Sequence, residues 1–286
     1  MNFEYLRDWI GKQQTAVDVL AEAPLAGLAA LLNYDAIAGV APWRDGALPP
    51  LGHWLHFLLH AKQSEIGEDG HPQRGGFLPP VELPRRMWAG GTVYFDTPLR
   101  VGSTVQRRST ITAVDPKSGR HGNLVFVTVK HELIIAGSDA PALIEHQDIV
   151  YREAAVGGQV AVAPSVGVIL ECDWSREFRA DPVLLFRFSA LTFNGHRIHY
   201  DRAYASDVEG YPGLVVHGPL SATLLVDLFL RRHPGADVRA FSFRGLRPLF
   251  DTRPFQLCGK ETGNGADLWI LDADGQIAMS ASLEAR

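Results

Sequence analysis

Val216-His217-Gly218-Pro219-Leu220 opens the stretch that decides the fold. Pro219 suits the first position of a helix, where a missing N–H leaves no intrahelical bond unmade. Beyond it Leu220, Leu224, Leu225, Leu228 and Phe229 recur at helical spacing. Ala222, Val226 and Leu230 widen the apolar stripe. A helix this apolar must be covered on several sides. Arg231, Arg232 and His233 suit its C-terminal dipole, and Pro234-Gly235 stops it near Arg232. Strand patterns follow over 238–243, 255–261, 268–271 and 277–283. Gly263-Asn264-Gly265 and Asp274-Gly275 are hairpin turns. One buried helix followed by an antiparallel meander is predicted here.

The chain upstream repeats this plan. Strands are predicted over 93–95, 104–114, 124–135 and 144–152, with a turn at Pro116-Lys117-Ser118-Gly119. Pro98-Leu99 recurs as Pro248-Leu249, 150 residues later, as an internal duplication would give. Where the second half has its apolar helix, the first has a Gly- and Pro-rich segment from Gly67 to Gly91. It cannot be a regular long helix and is expected as a long ordered loop packed against the other half. Between the halves, 153–181 holds Gly157-Gly158 and Pro164 and no clean periodicity. The apolar span 183–192 reads as a strand, and 201–207 as a short helix. A single helix wrapped by a curved antiparallel sheet, present twice, is an α+β double hot-dog with two sheets. The expected divisions are 1–152, a non-catalytic half; 153–181, a linker; and 182–286, the catalytic half.

Bulk properties narrow the function. The 286 residues carry 27 basic and 32 acidic side chains, a formal charge of −5, with no basic run to meet nucleic acid. Cys172 and Cys258 make neither a disulfide framework nor a metal-ligand spacing. No apolar window is long enough for a membrane span, and the start lacks a secretory pattern, so a cytoplasmic protein is expected.

The chemistry concentrates in Thr192-Phe193-Asn194-Gly195-His196-Arg197-Ile198-His199-Tyr200-Asp201. Proton-moving side chains precede a helix N-terminus, at Gly218, that can hold an oxyanion. That pairing points to addition or elimination beside a carbonyl. With Gly213-Leu214-Val215-Val216-His217-Gly218, the motif resembles the MaoC-like hydratase/dehydratase group. The nearest branch is that of hydroxyacyl-thioester dehydratase type 2 and mesaconyl-C4-CoA hydratase. Gly76-Phe77-Leu78-Pro79-Pro80 and Leu83-Pro84-Arg85-Arg86-Met87-Trp88-Ala89-Gly90-Gly91 also look like that branch. The wider family has Asp five residues before its His. Here Asn194 stands five before His199, as in the branch resembled. Neutral Asn orients water but accepts no proton, so His199 becomes the leading general acid/base.

The resemblance implies reversible hydration of a 2-enoyl-CoA thioester. His199, Asn194 and Gly218 are the expected catalytic residues, and His217, Arg197 and His196 the expected substrate contacts. A short branched or dicarboxylic acyl group is favoured, with Arg197 a partner for its carboxylate. No redox cofactor, nucleotide motif or metal is called for, and coenzyme A enters as part of the substrate. A three-histidine metal site at His196, His199 and His217 lacks a completing carboxylate or Cys. Arg85-Arg86 or Arg244 and Arg247 can meet CoA phosphates. A carrier-protein dehydratase, a hot-dog thioesterase and a non-catalytic acyl-thioester binder are the other readings. A homodimer is expected.

Overall fold

A computed structural model describes residues 4–34, 43–119, 122–153 and 171–286. Its ten strands are β1 (Gln13–Val19), β2 (Arg85–Phe95), β3 (Thr104–Gly119), β4 (Gly122–Ile135), β5 (Leu143–Arg152), β6 (Trp174–Phe178), β7 (Val238–Gly245), β8 (Phe255–Thr262), β9 (Gly265–Leu271) and β10 (Ile277–Ala285). They form one sheet in the order β1-β3-β4-β5-β2-β7-β10-β9-β8-β6. From the centre outward, both halves run through corresponding strands, so the duplication holds for every strand. The two predicted sheets are continuous because β2 and β7 pair antiparallel, from Gly90↔Arg244 to Tyr94↔Ala240. Adding a Cβ at Gly90 would bring it within 2.4 Å of the Phe243 carbonyl oxygen, so this seam needs a residue without a side chain.

Among the described residues three α-helices accompany the sheet: α1 (Glu22–Leu31), α2 (Pro182–Leu191) and α3 (Gly218–Arg232). The α3 helix matches its sequence pattern, with every residue from Leu220 to Leu230 buried. Its leucines pack on Phe241, Leu257, Leu268 and Ile270. The same core crosses to Val93, Val105 and Leu133 of the first half. Helices α1 and α2 correspond in the two halves and touch where Gly27 meets Leu191.

The predicted strand at 183–192 is instead α2. Its bulky composition favours a strand, but burial falls on Leu185, Phe188 and Ser189, a helical spacing. Asp181 caps it by accepting from the N–H groups of Val183 and Leu184, and Pro182 occupies its first turn. A second correction concerns Pro116, which lies inside β3 and not in a turn. Strand β1 pairs with β3 only as far as Thr110, leaving an edge there that tolerates a proline. The sequence pattern also missed β1, α1 and β6. Strand β6 falls within 153–181 and pairs with β8. The helical turn predicted over 201–207 is present as a wide turn at Tyr204–Val208.

Among the described residues the first half has no counterpart of α3. Between residues 43 and 84 only short 3₁₀ turns, Gly52–Leu55 and Gln63–Glu65, interrupt an irregular path. The face of β3–β5 where a helix would lie is instead covered by this segment, whose His53, Trp54 and Phe57 reach it and leave a cavity. On that face Arg107, Ser109, His131, Glu145 and Gln147 form a polar band. It separates the main core from a second cluster of Ile111, Val125, Val127 and Tyr151. No helix of the described residues is long and apolar enough to cross a membrane.

Candidate active site

The site forms where the 192–201 motif, the start of α3 and the first-half loop converge. Phe193 has a left-handed backbone (φ 49°) just past α2. That turn presents Asn194, whose main-chain N–H donates to Ser189 O at 2.8 Å. Its side-chain oxygen accepts from the His196 N–H at 3.0 Å. The oxygen holds the turn, and the amide NH₂ has no partner among the described residues.

His199 ends the short turn Arg197–His199. Its Nδ1 lies 2.7 Å from Val215 O. A carbonyl only accepts, so Nδ1 carries the proton and the Nε2 lone pair is free. Burial pushes the His199 pKa down to about 4, only partly opposed by the Val215 hydrogen bond. It is a neutral imidazole at pH 7, competent to accept a proton.

Two adjoining cavities meet at this point. The smaller, about 460 Å³, is lined by His196, His199, Asn194, Gly218 and Met279. The larger, about 660 Å³, lies over the polar band of the first half. His71, Arg86, Trp88, Gln147, Asn194 and Pro219 border both. Gly218 is the first residue of α3, so its N–H has no acceptor within the helix. A Cβ there would make only ordinary contact, 3.8 Å from Trp88 O. The fold does not require glycine at 218; close approach of a ligand would.

The structure brings His199, Asn194, Gly218 and His196 to one cavity wall. His217 and Arg197, expected as substrate contacts, line neither cavity. His217 is buried behind His199, rings stacked at 3.7 Å, with Nε2 2.8 Å from Ser189 Oγ. Arg197 is spent on Asp201, at 2.7 Å and 3.0 Å, and lies over the Tyr204 ring. Arg85 is likewise committed, to Glu209 at 3.1 Å and to the Tyr211 ring. Arg86 and Arg247 line the smaller cavity, and Arg244 does not.

The structure adds Asp69 and His71, which the sequence reading did not single out, beside this wall. They sit in the Gly- and Pro-rich segment expected as a loop from Gly67 to Gly91; its first part is that loop and packs on the second half, whereas residues 85–91 belong to strand β2. The Arg197 N–H donates to Asp69 O at 2.9 Å and Arg197 Nη1 to Glu68 O at 3.1 Å. Gly70 has φ +87°, and a Cβ there would fall 1.8 Å from Gly195 O. Gly70→Ala is therefore expected to lift the loop off the motif. Turnover should fall at least tenfold and thermal stability drop by the ~1–3 kcal/mol typical of overpacking. Steady-state kinetics with a melting curve checks both.

His71 continues a row of imidazoles. Its ring centre is 4.0 Å from that of His196, which is 5.3 Å from that of His199. Burial, then repulsion from His71 and His199, pushes His196 down to about 2. Burial holds His217 well below the ordinary histidine value. Asp69, His71 and His196 also bring one possible ligand atom each within 4.8 Å of one another. This is a different trio from the one weighed in the sequence.

A double hot-dog that turns an imidazole and a helix N-terminus toward one cavity holds the parts from which a thioester hydro-lyase can be built. The chain belongs to the hydroxyacyl-thioester dehydratase type 2 family, whose sequence model matches residues 51–251. It is 47% identical to a mesaconyl-C4-CoA hydratase of Chloroflexus aurantiacus over 277 residues, 96% of each chain. To a mitochondrial hydroxyacyl-thioester dehydratase type 2 of Schizosaccharomyces pombe it is 28% identical, over 88% of this chain and 91% of that one. In fold it is similar to a MaoC-like dehydratase of Phytophthora capsici, with a TM-score of 0.69 and 14% identity, covering 100% of this chain and 99% of that one.

Proposed function

We propose that the chain adds water reversibly to the double bond of a short dicarboxylic 2-enoyl-CoA thioester, with mesaconyl-C4-CoA the leading candidate. The observation that carries this reading is the convergence of His199 Nε2, the Asn194 amide and the Gly218 N–H on one cavity. Water at C3 is held by Asn194 and gives its proton to His199. The electrons of the C2=C3 bond move to the thioester oxygen, which the Gly218 N–H stabilises. Coenzyme A enters with the substrate, and no other cofactor has a step here.

The substrate class rests on the first-half chamber and on the relative's name. A chamber for a long alkyl chain would be apolar; this one carries Arg107, His131 and Glu145. Glu145 is occupied by His53 at 3.0 Å and Trp54 at 3.0 Å. Arg107 lies over the Phe57 ring and has no hydrogen bond or ion pair among the described residues. It is the cation on the chamber's polar band that is available to a substrate carboxylate, with Arg86 at the border of the two cavities. Division of labour between a chamber in 1–152 and proton transfer led by 182–286 belongs to the same proposal. So do a homodimer and a cytoplasmic location.

The test is absorbance of the enoyl-thioester band with mesaconyl-C4-CoA and crotonyl-CoA. Loss of the band without free thiol is expected, and release of thiol would replace the reading with a thioesterase. Arg107→Met should lower the ratio of kcat/KM for mesaconyl-C4-CoA over crotonyl-CoA by about 10- to 100-fold, the size of a lost charge-assisted hydrogen bond. An unchanged ratio would remove Arg107 from recognition of the acyl group.

A further inference from the structure

Hydration makes two proton transfers, one from the attacking water and one to C2. His199 serves the first of them. Asn194 cannot serve the second, because an amide does not titrate near neutrality. His217 lies behind His199, away from the cavity, and His196 is pushed down to about 2. One candidate remains on the shared border of the two cavities, and it comes from the other half of the chain.

His71 lines both cavities. Its Nδ1 is 3.0 Å from Asp69 Oδ2, and its main-chain N–H donates to Asp69 Oδ1 at 2.9 Å. The carboxylate fixes the tautomer: Nδ1 carries the proton, and Nε2 is the basic atom. Burial alone would push the Asp69 carboxyl up, but its bonds to His71 and the charge of that ring hold it below the ordinary carboxylate value. For His71, burial lowers the pKa and the Asp69 hydrogen bond opposes it. A carboxylate-backed imidazole of this kind orients the ring and stabilises the imidazolium that forms during proton transfer. His199 has only a carbonyl behind it, so the two histidines are unequal. One ring is backed by a carboxylate and the other by a carbonyl, so only His71 has a charge to stabilise its imidazolium.

We propose that His71, oriented by Asp69, is the second proton-transfer residue, so that the first half completes the active site. The proposal rests on the hydratase reading. In the dehydration direction, His71 Nε2 takes the C2 proton and Asp69 stabilises the imidazolium. The C2–H electron pair forms the C2=C3 bond through an enolate held at Gly218. The C3–O bond breaks, and the hydroxyl leaves as water with a proton from His199. Hydration reverses each step. Between turnovers the proton passes from His71 to His199 through solvent in the cavity both line.

The experiment compares His71→Gln and Asp69→Asn with the wild-type chain on an ester the wild type hydrates. Absence of wild-type turnover on every enoyl-CoA would fail the hydratase reading itself. Both substitutions leave the Asp69 main-chain oxygen to hold the Arg197 N–H, and matching melting curves confirm a docked loop. His71→Gln is expected to lower kcat at least 100-fold with KM within threefold. Asp69→Asn should lower it 10- to 100-fold and move the acid limb of the dehydration profile to lower pH, because the carboxylate that raises the His71 pKa is gone. A purely structural loop would raise KM and leave the limb in place; that result overturns the proposal. So does His71→Gln with kcat within threefold of wild type. Near-stoichiometric zinc or another divalent metal by elemental analysis, with turnover abolished by a chelator, would overturn it in favour of a metal on Asp69, His71 and His196.

Discussion

His199→Asn is expected to lower kcat about a thousandfold and leave KM within a few-fold, the loss typical of removing a positioned acid/base. Asparagine is the informative replacement. Its amide nitrogen occupies roughly the place of Nδ1, so the bond to Val215 O survives and the motif stays folded. What disappears is the lone pair at Nε2. His217→Gln is the contrast, keeping a polar atom near Ser189 Oγ without touching the cavity wall. Its effect should stay within tenfold, arising only from looser stacking behind His199. Steady-state kinetics on one 2-enoyl-CoA ester separates the two. If His199→Asn retained more than a tenth of wild-type turnover, His199 would be a structural histidine and the proton carrier would have to be sought elsewhere.

Much of this was legible in the sequence where local and long-range signals agree. The α3 helix carries its own start, stop and apolar stripe, so its limits could be read almost to the residue. The meander after it is punctuated by glycine turns and was equally plain. The α2 helix was misread because Val183, Phe186 and Phe188 favour strands, while its cap, Asp181-Pro182, lies before the apolar run. Its partner α1 was missed because Ala- and Gly-rich residues give little periodicity, and its contact with α2 is purely tertiary.

The site divides in the same way. His199, Asn194 and Gly218 belong to segments with plain local signals, and the structure places all three on one cavity wall. Arg197 and His217 looked like ligand contacts because charge and aromaticity are visible in a sequence, but a committed partner is not. Asp69 and His71 were hidden for the opposite reason. Nothing local says that a Gly- and Pro-rich loop will lie on Gly195, and only Gly70 hinted at close backbone approach. A signal was present in Asp69-Gly70-His71 itself, a carboxylate and an imidazole two residues apart around a turn-forming glycine.

Acidification is expected to unfold the protein well before its carboxylates titrate. His199 is held down to about 4, His196 to about 2 and His217 well below its ordinary value, in each case chiefly by burial. In the unfolded chain they titrate near ~6.5. Between those values the unfolded chain binds more protons, so stability is complete above pH ~6.5 and drains as the pH falls. At pH 5 each histidine forfeits up to ~2 kcal/mol, about 6 kcal/mol for the three. That approaches the whole stability of an ordinary domain. The melting temperature should be more than ~10 °C lower at pH 5 than at pH 7. Asp69 has a depressed carboxyl pKa, so its contribution remains until the pH nears ~4 and cannot cause the earlier loss. His196→Gln removes one titrating ring and should flatten the slope between pH 6.5 and 5. A melting temperature constant across that interval would mean that the row of imidazoles admits protons in the folded state. His199 would then start the reaction partly charged, and hydration, which needs its lone pair, would slow in proportion.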